Sequence, residues 1–299
     1  MKSKKLLLLG GALALPGLAL AQPSFTGLYP IGVEGLKSGT LPPPGFYLRD
    51  YNLAYYSDQL NDASGDELPL DFEAFVYANA IRPIWITDLQ ILGAYYGCDV
   101  LVPFLYKNVK VMGERDEVFN LGDIFIEPIT LSWHWQRADL GIGYGIWAPT
   151  GDGDPESVTG GTGQGTWTHM VTAGGTLYLD AQKTWSLSAL ARYEINHESA
   201  DYEITPGDTL SLEGGLGKAF TPSFEAGVWA YYQGQMTEDE AGGAIAASDN
   251  KDNVMGVGPE FVWFWQKAGL FVSLRYGYEV LAEDRPQGHR GTLTLTKKF

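Results

Sequence analysis

Cysteine is nearly absent from this chain, since Cys98 is the single thiol among its 299 residues. One cysteine excludes an intramolecular disulfide, so in an oxidising compartment the fold has to be stabilised by backbone hydrogen bonds and packing. The residues at alternate positions around it are apolar, namely Ala94, Tyr96, Val100, Val102 and Phe104. This setting predicts an inert thiol on an apolar face.

Long hydrophobic runs are missing after residue 21. A helix that crosses a bilayer needs roughly 20 consecutive apolar residues, and no later window of the sequence approaches that length. Any insertion into a membrane must therefore use β-strands, whose backbone groups pair with neighbouring strands.

The one apolar run, Leu6–Leu15, follows three lysines at the N-terminus and precedes a tripeptide of small residues and leucine at 19–21. A positively charged start, a short apolar stretch and small residues at the cleavage position are typical of a secretory signal. We therefore predict that residues 1–21 are a signal peptide cleaved before Gln22, and that the mature protein is exported.

Basic residues are scarce. Outside the predicted signal, 17 lysines and arginines stand against 36 aspartates and glutamates, which gives a net charge of −19. A surface with this balance repels nucleic acid and anionic lipid headgroups. We therefore expect no nucleic-acid partner.

The clearest pattern in the remaining chain is alternation of apolar and polar residues. In 185–197, Leu187 and other apolar residues share one face, while Arg192 and Glu194 share the opposite face. Segments 222–235 and 268–280 alternate in the same way. A strand with lipid on one side and a polar lumen on the other has this period of two. The side chains that we predict to face the lumen and line a pore are Arg49, Arg192, Glu194, Glu225, Trp229, Tyr231, Glu260, Arg275 and Glu279.

The connections between such segments alternate between long and short, as in an up-and-down barrel with long loops outside the cell and tight turns in the periplasm. We therefore predict an all-β fold: a single antiparallel transmembrane β-barrel of about 12 strands over residues 45–299, with both termini in the periplasm. A change of apolar face at Pro128 predicts a bulge. The predicted strands are 45–57, 71–82, 89–106, 121–135, 138–149, 166–180, 184–197, 208–219, 222–235, 253–265, 268–280 and 288–299. The connections include a short turn at 83–88 and long loops at 107–120 and 281–287.

Aromatic residues concentrate near the predicted strand ends, as in the girdles of outer-membrane barrels. The tryptophans assigned to strand ends or apolar faces are Trp133, Trp135, Trp147, Trp167, Trp185, Trp229, Trp263 and Trp265. The last strand ends on Phe299, and a terminal aromatic residue is common on the strand that barrel-insertion machinery recognises. We expect that machinery and outer-membrane lipid as partners.

The segment 22–44 is too rich in glycine and proline to form a strand. Two interpretations stay open from the sequence. The segment is either a plug folded into the lumen, since barrels of this size often need filling, or an ordered periplasmic tail.

Several stretches of the mature chain carry a recognisable family pattern, namely Glu34–Gly45, Tyr47–Asn52, Asp139–Gly145, Ala148–Asp152 and Lys183–Glu194. With the residues between them they resemble the MetA-pathway of phenol degradation family, exported barrels, over nearly the whole mature chain. The resemblance implies a channel of the bacterial outer membrane for passive uptake of small hydrophobic or aromatic compounds, associated with phenol degradation. It implies no catalytic residues.

Two other classes of function compete with a channel. One is a closed structural or adhesion barrel without transport. The other is an outer-membrane hydrolase, which is disfavoured because the sequence has no Gly-x-Ser-x-Gly elbow and because the serines near His197 have no recognisable third partner. We expect no enzyme activity and no cofactor.

Metal binding has one weak candidate, the alternating carboxylates Asp152, Asp154 and Glu156. Carboxylates at alternate positions can converge on a hard cation such as Ca²⁺. The stretch lacks the later bidentate glutamate of a helix-loop-helix calcium loop, however, and ordinary acidic turns have the same composition. The four histidines lack any paired zinc spacing. The sequence therefore predicts no metal site.

Overall fold

The computed structural model describes residues 27–241 and 251–299. The predicted signal peptide, residues 1–21, lies outside the described residues. Within the described ranges, no helix is long and apolar enough to cross a membrane. The helical structure that is described is a 3₁₀ turn at Gln266–Ala268.

The described chain is otherwise built from antiparallel strands, and twelve of them pair in a closed ring. The strands are β1 (Gly45–Leu60), β2 (Phe72–Ile91), β3 (Ala94–Val111), β4 (Glu114–Leu121), β5 (Ile124–His134), β6 (Ala138–Ala148), β7 (Thr168–Tyr178), β8 (Trp185–Asn196), β9 (Ile204–Thr205), β10 (Thr209–Thr221), β11 (Phe224–Gln235), β12 (Glu240–Ala241), β13 (Asn253–Trp265), β14 (Leu270–Glu283) and β15 (Pro286–Lys298). The ring runs β1-β2-β3-β5-β6-β7-β8-β10-β11-β13-β14-β15 and closes where β15 pairs with β1. The predicted all-β barrel of about 12 strands is therefore confirmed.

The β2–β3 region differs from the sequence prediction. Residues 83–88, expected to form a turn, continue β2, and the chain reverses at Leu92-Gly93, where both residues have positive φ. A two-residue turn of this kind matches the twist of the flanking strands. A second turn at Met112-Gly113 joins β3 to β4, so residues 107–120 form a hairpin that extends beyond the ring, and not a loop.

The predicted bulge near Pro128 is confirmed, because the β5–β6 register shifts between Ile126 and Ile129. The loop predicted at 281–287 is much shorter in the structure. Strands β14 and β15 approach each other there and leave only Asp284 and Arg285 between them.

Alternation gives the ring an apolar outer surface and a polar inner one. Val228 is 55% exposed while its neighbour Trp229 is completely buried inside, and Leu187 is exposed while Ser188 is buried. A contiguous apolar belt on the outside of a closed barrel is stable only in lipid. The ring therefore spans a membrane, and Cys98 lies half-buried on its outer face.

The aromatic girdle is present, with two corrections. Trp185, Trp263 and Trp265 are exposed near strand ends on the outer surface. Trp147, also assigned to a strand end or apolar face, instead points into the lumen, where it is 3% exposed. The ring of Trp147 lies 4.8 Å from the ring of Phe125, the residue opposite it on β5. Packing against this buried ring keeps Trp147 on the inner face of the wall. Trp229 also points into the lumen and is completely buried there.

The two ends of the barrel differ. We call the end with the short connections β2–β3, β5–β6, β7–β8, β10–β11 and β13–β14 the turn end, and the opposite end the loop end. At the loop end, β9 pairs with β12 and ties two loops together. Buried Asp123 accepts hydrogen bonds from the amides of Thr150, Gly151 and Gln164 at 2.9–3.0 Å. Burial raises the pKa of this carboxyl although those amides stabilise its charged form.

Candidate functional site

Residues 27–44 precede β1 and lie inside the ring; we call them the luminal segment. At Gly27 a Cβ atom would lie 2.9 Å from Thr209 and 3.0 Å from Gln233, which face inward at the loop end. At the other end of the segment, the Tyr47 hydroxyl donates to the Pro43 carbonyl at 2.7 Å, close to the start of β1 at the turn end. The luminal segment therefore runs along the lumen from one end of the barrel to the other.

Buried glutamates of the wall hold this segment by its backbone. The amide of Tyr29 donates to Glu194 at 2.9 Å, and the amide of Leu36 donates to Glu260 at 2.5 Å. Both glutamates are at most 2% exposed. Hydrogen bonds to a charged acceptor are stronger than neutral ones, so these contacts fix the segment without depending on its side chains.

Glu34 is the ionic centre of the luminal segment. Its carboxylate lies 2.7 Å from Arg49, 3.1 Å from Arg82 and 3.7 Å from Arg192. Arg49 and Arg82 are directly opposite each other on β1 and β2, and like charges in that position destabilise a sheet. One carboxylate oxygen of Glu34 contacts Arg49 and the other contacts Arg82. The luminal segment therefore reduces the repulsion between these two arginines of the wall.

Arg82 extends the ionic cluster into the wall. It is 7% exposed. Its guanidinium donates to both oxygens of Asp99, at 2.7 and 2.9 Å, and to Glu127 at 2.8 Å. One side chain of β2 is thereby linked to β3 and β5, with a bidentate fork on Asp99 that only arginine can form.

The half of the lumen nearer the loop end contains a large apolar cluster, which lies among buried polar side chains such as Glu194, Gln233 and Glu279. Ile31 of the luminal segment belongs to a buried cluster with wall residues such as Trp229 and Tyr231, whose rings stack at 5.3 Å. Gly32 has a φ of +81° and lies against Trp229, where a Cβ atom would be 2.8 Å from the indole. The buried members of this cluster are Tyr29, Ile31, Val33, Tyr51, Leu53, Ala80, Leu101, Phe125, Trp147, Met170, Trp229, Tyr231, Val254 and Ala282.

The half nearer the turn end carries polar contacts beside a small apolar cluster of Tyr47, Ile84 and Ile86. The Thr40 hydroxyl lies 3.1 Å from Asp139 and 2.8 Å from the Thr176 hydroxyl. Lys37 forms an ion pair of 2.5 Å with Glu225. Along the axis the lumen thus contains a large aromatic and aliphatic cluster towards the loop end, an ionic belt around Glu34, and mixed polar and apolar contacts towards the turn end.

Glycines in the wall provide the space for the luminal segment. A Cβ atom added at Gly215 or Gly227 would lie 2.7 or 2.9 Å from the side chain of Leu36. One added at Gly174 would lie 3.1 Å from Gly39. Any larger residue at these inward positions would displace the segment.

A narrow cavity of about 50 Å³ remains beside residues 38–42 of the segment. It is lined by the segment on one side and by β1, β2, β5, β6, β7 and β8 on the other. A cavity that binds benzene has a volume of about 150 Å³. An aromatic ring therefore does not fit beside the luminal segment in this arrangement.

All nine side chains that the sequence places on the lumen face point inward, where they contact the luminal segment or one another. Arg49 and Arg192 meet Glu34, and Arg275 lies 3.4 Å from Glu260. Glu279 accepts from Tyr231 at 3.0 Å. Sequence reasoning missed four charged members of the same cluster, which are Arg82, Asp99, Glu127 and Glu213. Each is a charge within a predicted strand, and that is the signal that could have identified it.

The weak calcium candidates do not converge. Asp152 accepts from the Asn120 amide at 2.7 Å, and Asp154 accepts from the backbone of Glu156 at 3.1 Å. Over residues 27–241 and 251–299, no group of three His, Cys, Asp or Glu side chains is placed to hold a metal ion.

Comparison with known proteins agrees with this architecture. The chain resembles in fold an outer membrane channel from Pseudomonas putida F1, with 14% identity and a TM-score of 0.76 over 87% of this chain and 97% of that one. The beta domain of the Bordetella autotransporter BrkA matches with 12% identity and a TM-score of 0.51, over 86% of this chain and 100% of that one. A search of curated protein sequences gives no match. A family model described as "Putative MetA-pathway of phenol degradation" matches residues 57–295, and the chain therefore belongs to that family.

Proposed function

We propose that this chain is a bacterial outer-membrane channel for the passive uptake of small hydrophobic or aromatic compounds, and that the luminal segment is its plug. The observation that carries the proposal is how the lumen is filled. A structural barrel closes its interior with side chains of the wall, whereas here inward glycines such as Gly215 and Gly227 leave room for one non-strand segment. A filling that belongs to a single segment can move without unfolding the wall.

The nature of the lumen supports an apolar cargo. Water-filled porins have polar interiors, but this lumen also holds a buried cluster of aromatic and aliphatic residues, including Trp147, Trp229 and Tyr231. Apolar surface along a route lowers the cost of taking an aromatic molecule out of lipid or water. The family description, which refers to phenol degradation, points to the same class of compound.

The orientation follows from the loops. Long loops of outer-membrane barrels face outward and tight turns face the periplasm, so the large apolar cluster lies in the half of the barrel nearer the outside of the cell and Phe299 lies on the periplasmic side. In this proposal a signal at residues 1–21 directs export, Phe299 is read by the insertion machinery, and outer-membrane lipid surrounds the belt. The nine inward residues act as a pore lining, and no residue acts as a catalyst.

Passage requires the plug to shift. The cavity of about 50 Å³ beside residues 38–42 is smaller than the roughly 150 Å³ that accommodates a benzene ring. We therefore assign the structure to a closed state of the channel, in which the ionic contacts of Glu34 hold the plug.

The proposal is tested with the folded, heat-modifiable protein in vesicles whose outer leaflet is lipopolysaccharide, because aromatic compounds cross pure phospholipid unaided. We expect protein-dependent entry of labelled phenol or toluene, and no entry of sucrose above that into protein-free vesicles. Exclusion of all three solutes would favour a closed structural barrel. Equal entry of sucrose would indicate a general porin.

Replacing the ionic centre of the plug should open the channel. Glu34→Gln keeps the size of the side chain but removes the charge that faces Arg49, Arg82 and Arg192. Breaking a buried ion pair costs about 3–5 kcal/mol, so we expect the fraction of time open in single-channel recordings to rise by roughly tenfold or more. Asp71→Asn is the matched control, because Asp71 pairs with Lys110 at an exposed site outside the lumen. An open fraction equal to that of the control would contradict the role of Glu34.

A further inference from the structure

One row of the wall combines hydrogen-bonding groups with a missing side chain. Thr130 on β5 is opposite Gly143 on β6, which is opposite Thr172 on β7, which is opposite Arg192 on β8. All four residues line the cavity beside the plug. Because Gly143 has no side chain, the carboxylate of Glu127 lies over it, where a Cβ atom would overlap it. The two threonines and the arginine therefore lie beside a wall carboxylate.

Three polar atoms of this row are unused. Thr130 Oγ1, Thr172 Oγ1 and Arg192 Nε find no hydrogen-bond partner among the described residues. Their side chains belong to residues that are 2%, 8% and 6% exposed. A buried polar group without a partner costs about 1–3 kcal/mol. Since buried polar atoms of proteins are generally hydrogen-bonded, three such groups around one cavity can offer hydrogen bonds to a polar ligand.

The plug side of the cavity has an apolar part. Leu41 and Pro42 make it, next to the polar Ser38 and Thr40. A Cβ atom built on Gly141 would lie 3.4 Å from the side chain of Leu41, so Leu41 packs flat on the glycine face of β6. A planar ring could occupy this place once the plug shifts, with the glycine face beneath it and the polar row beside it.

The charges around the cavity decide which polar group fits. Glu34 and Glu127 line it together with Arg49, Arg82 and Arg192, but the arginines are already paired with carboxylates, including Asp99 and Glu213. When the plug shifts and Glu34 leaves, these three arginines still stand against three wall carboxylates, Asp99, Glu127 and Glu213, so no net positive charge is left to hold an anion. A hydroxyl group suits the site, because it accepts from a threonine or from Arg192 Nε and donates to a carboxylate or a threonine oxygen.

We propose that Thr130, Thr172 and Arg192 Nε form a selectivity site for the hydroxyl group of small hydroxylated aromatic molecules, which the channel thereby admits in preference to unsubstituted aromatics. The inference rests on the proposed function and names its substrate class. The ring takes the place of Leu41 and Pro42 on the glycine face of β6, and the hydroxyl enters the polar row. No bond is made or broken, so the site acts only on the rate and selectivity of passage.

The test compares phenol with toluene, which differ by a hydroxyl in place of a methyl group. The double variant Thr130→Val with Thr172→Val likewise replaces a hydroxyl by a methyl group, here on two side chains of the wall. In lipopolysaccharide-coated vesicles, we expect the ratio of phenol entry to toluene entry to fall by roughly 3- to 10-fold for each hydrogen bond lost. Thr292→Val is the matched control, because Thr292 is also buried with an unpartnered hydroxyl but does not line this cavity.

A second double variant, Thr130→Ser with Thr172→Ser, keeps the hydroxyls and should retain the wild-type ratio, which separates selectivity from damage to the fold. An unchanged ratio in the valine variant, or an equal fall in Thr292→Val, overturns the site while leaving the channel intact. Faster entry of benzoate than of phenol overturns it as well, because the site would then select anions. Absence of protein-dependent entry for phenol and toluene alike contradicts the proposed function itself.

Discussion

Deleting residues 28–41 is expected to raise the permeation of small solutes through the barrel by roughly tenfold or more, since a ring of this size encloses free space once its filling is removed. The deletion removes the segment that Glu194 and Glu260 hold by its backbone and leaves every strand pairing of the wall in place. The exposed wall carboxylates become hydrated, which offsets the loss of their partners. Conductance in planar bilayers and entry of sucrose into vesicles measure the effect.

The control for this deletion removes residues of an exposed loop outside the lumen. Residues 62–66 form a loop tip outside the ring, in which Ala63, Ser64, Asp66 and their neighbours are mostly exposed. Their deletion should leave conductance unchanged, since loop tips tolerate such changes. If the barrel without residues 28–41 is folded by heat modifiability but conducts no better than the loop variant, the luminal segment is not the barrier to passage.

The barrel itself could be predicted because lipid and lumen impose opposite demands on neighbouring residues. Segment 185–197 shows this, with Leu187 outside and Arg192 and Glu194 inside, as its alternation indicates. The prediction was wrong at 83–88, where a proline and the local composition are typical of a turn. Pairing of β2 with β1 and β3 keeps this part of the chain extended. Tertiary pairing is not visible in a local window.

The position of the luminal segment was beyond the sequence for a different reason. Glycine and proline in 22–44 exclude a strand, but they do not indicate whether the segment lies inside or below the ring. The evidence is distributed over the wall, where inward glycines such as Gly174, Gly215 and Gly227 match the path of the segment. Alternation along a strand shows which glycines point inward only after the strand bounds are known. That these glycines lie along the path of the segment can be seen only in the three-dimensional structure.

The charged cluster was partly predictable. The alternation of polar and apolar residues identified Arg49 and Arg192. Asp99 and Glu127 lie in strands whose pairing register shifts at a bulge, and beyond a bulge the inward-facing positions change from odd to even or the reverse. A one-residue shift moves a side chain to the other face of a sheet. The bulges that hide these residues from sequence reasoning also turn them towards Arg82, so that the same irregularity builds the site and conceals it.

Arg82→Met is expected to be the most destabilising single change in the barrel wall. Methionine fills a similar length but leaves Asp99 and Glu127, which are 4% and 3% exposed, without their cation. Removing one partner of a buried ion pair costs about 3–5 kcal/mol. The free energy of unfolding in guanidinium chloride, followed by tryptophan fluorescence in detergent micelles, measures the loss.

Lys110→Met is the control for that loss, because Lys110 pairs with Asp71 where both side chains are substantially exposed, and such surface pairs contribute about 0–1 kcal/mol. A second variant, Arg82→Met with Asp99→Asn, should recover part of the lost stability, since it removes one of the unpaired charges. If Arg82→Met costs no more than Lys110→Met, the cluster is hydrated and not buried. The plug would then be held by its backbone contacts alone, and Glu34→Gln would leave the channel closed.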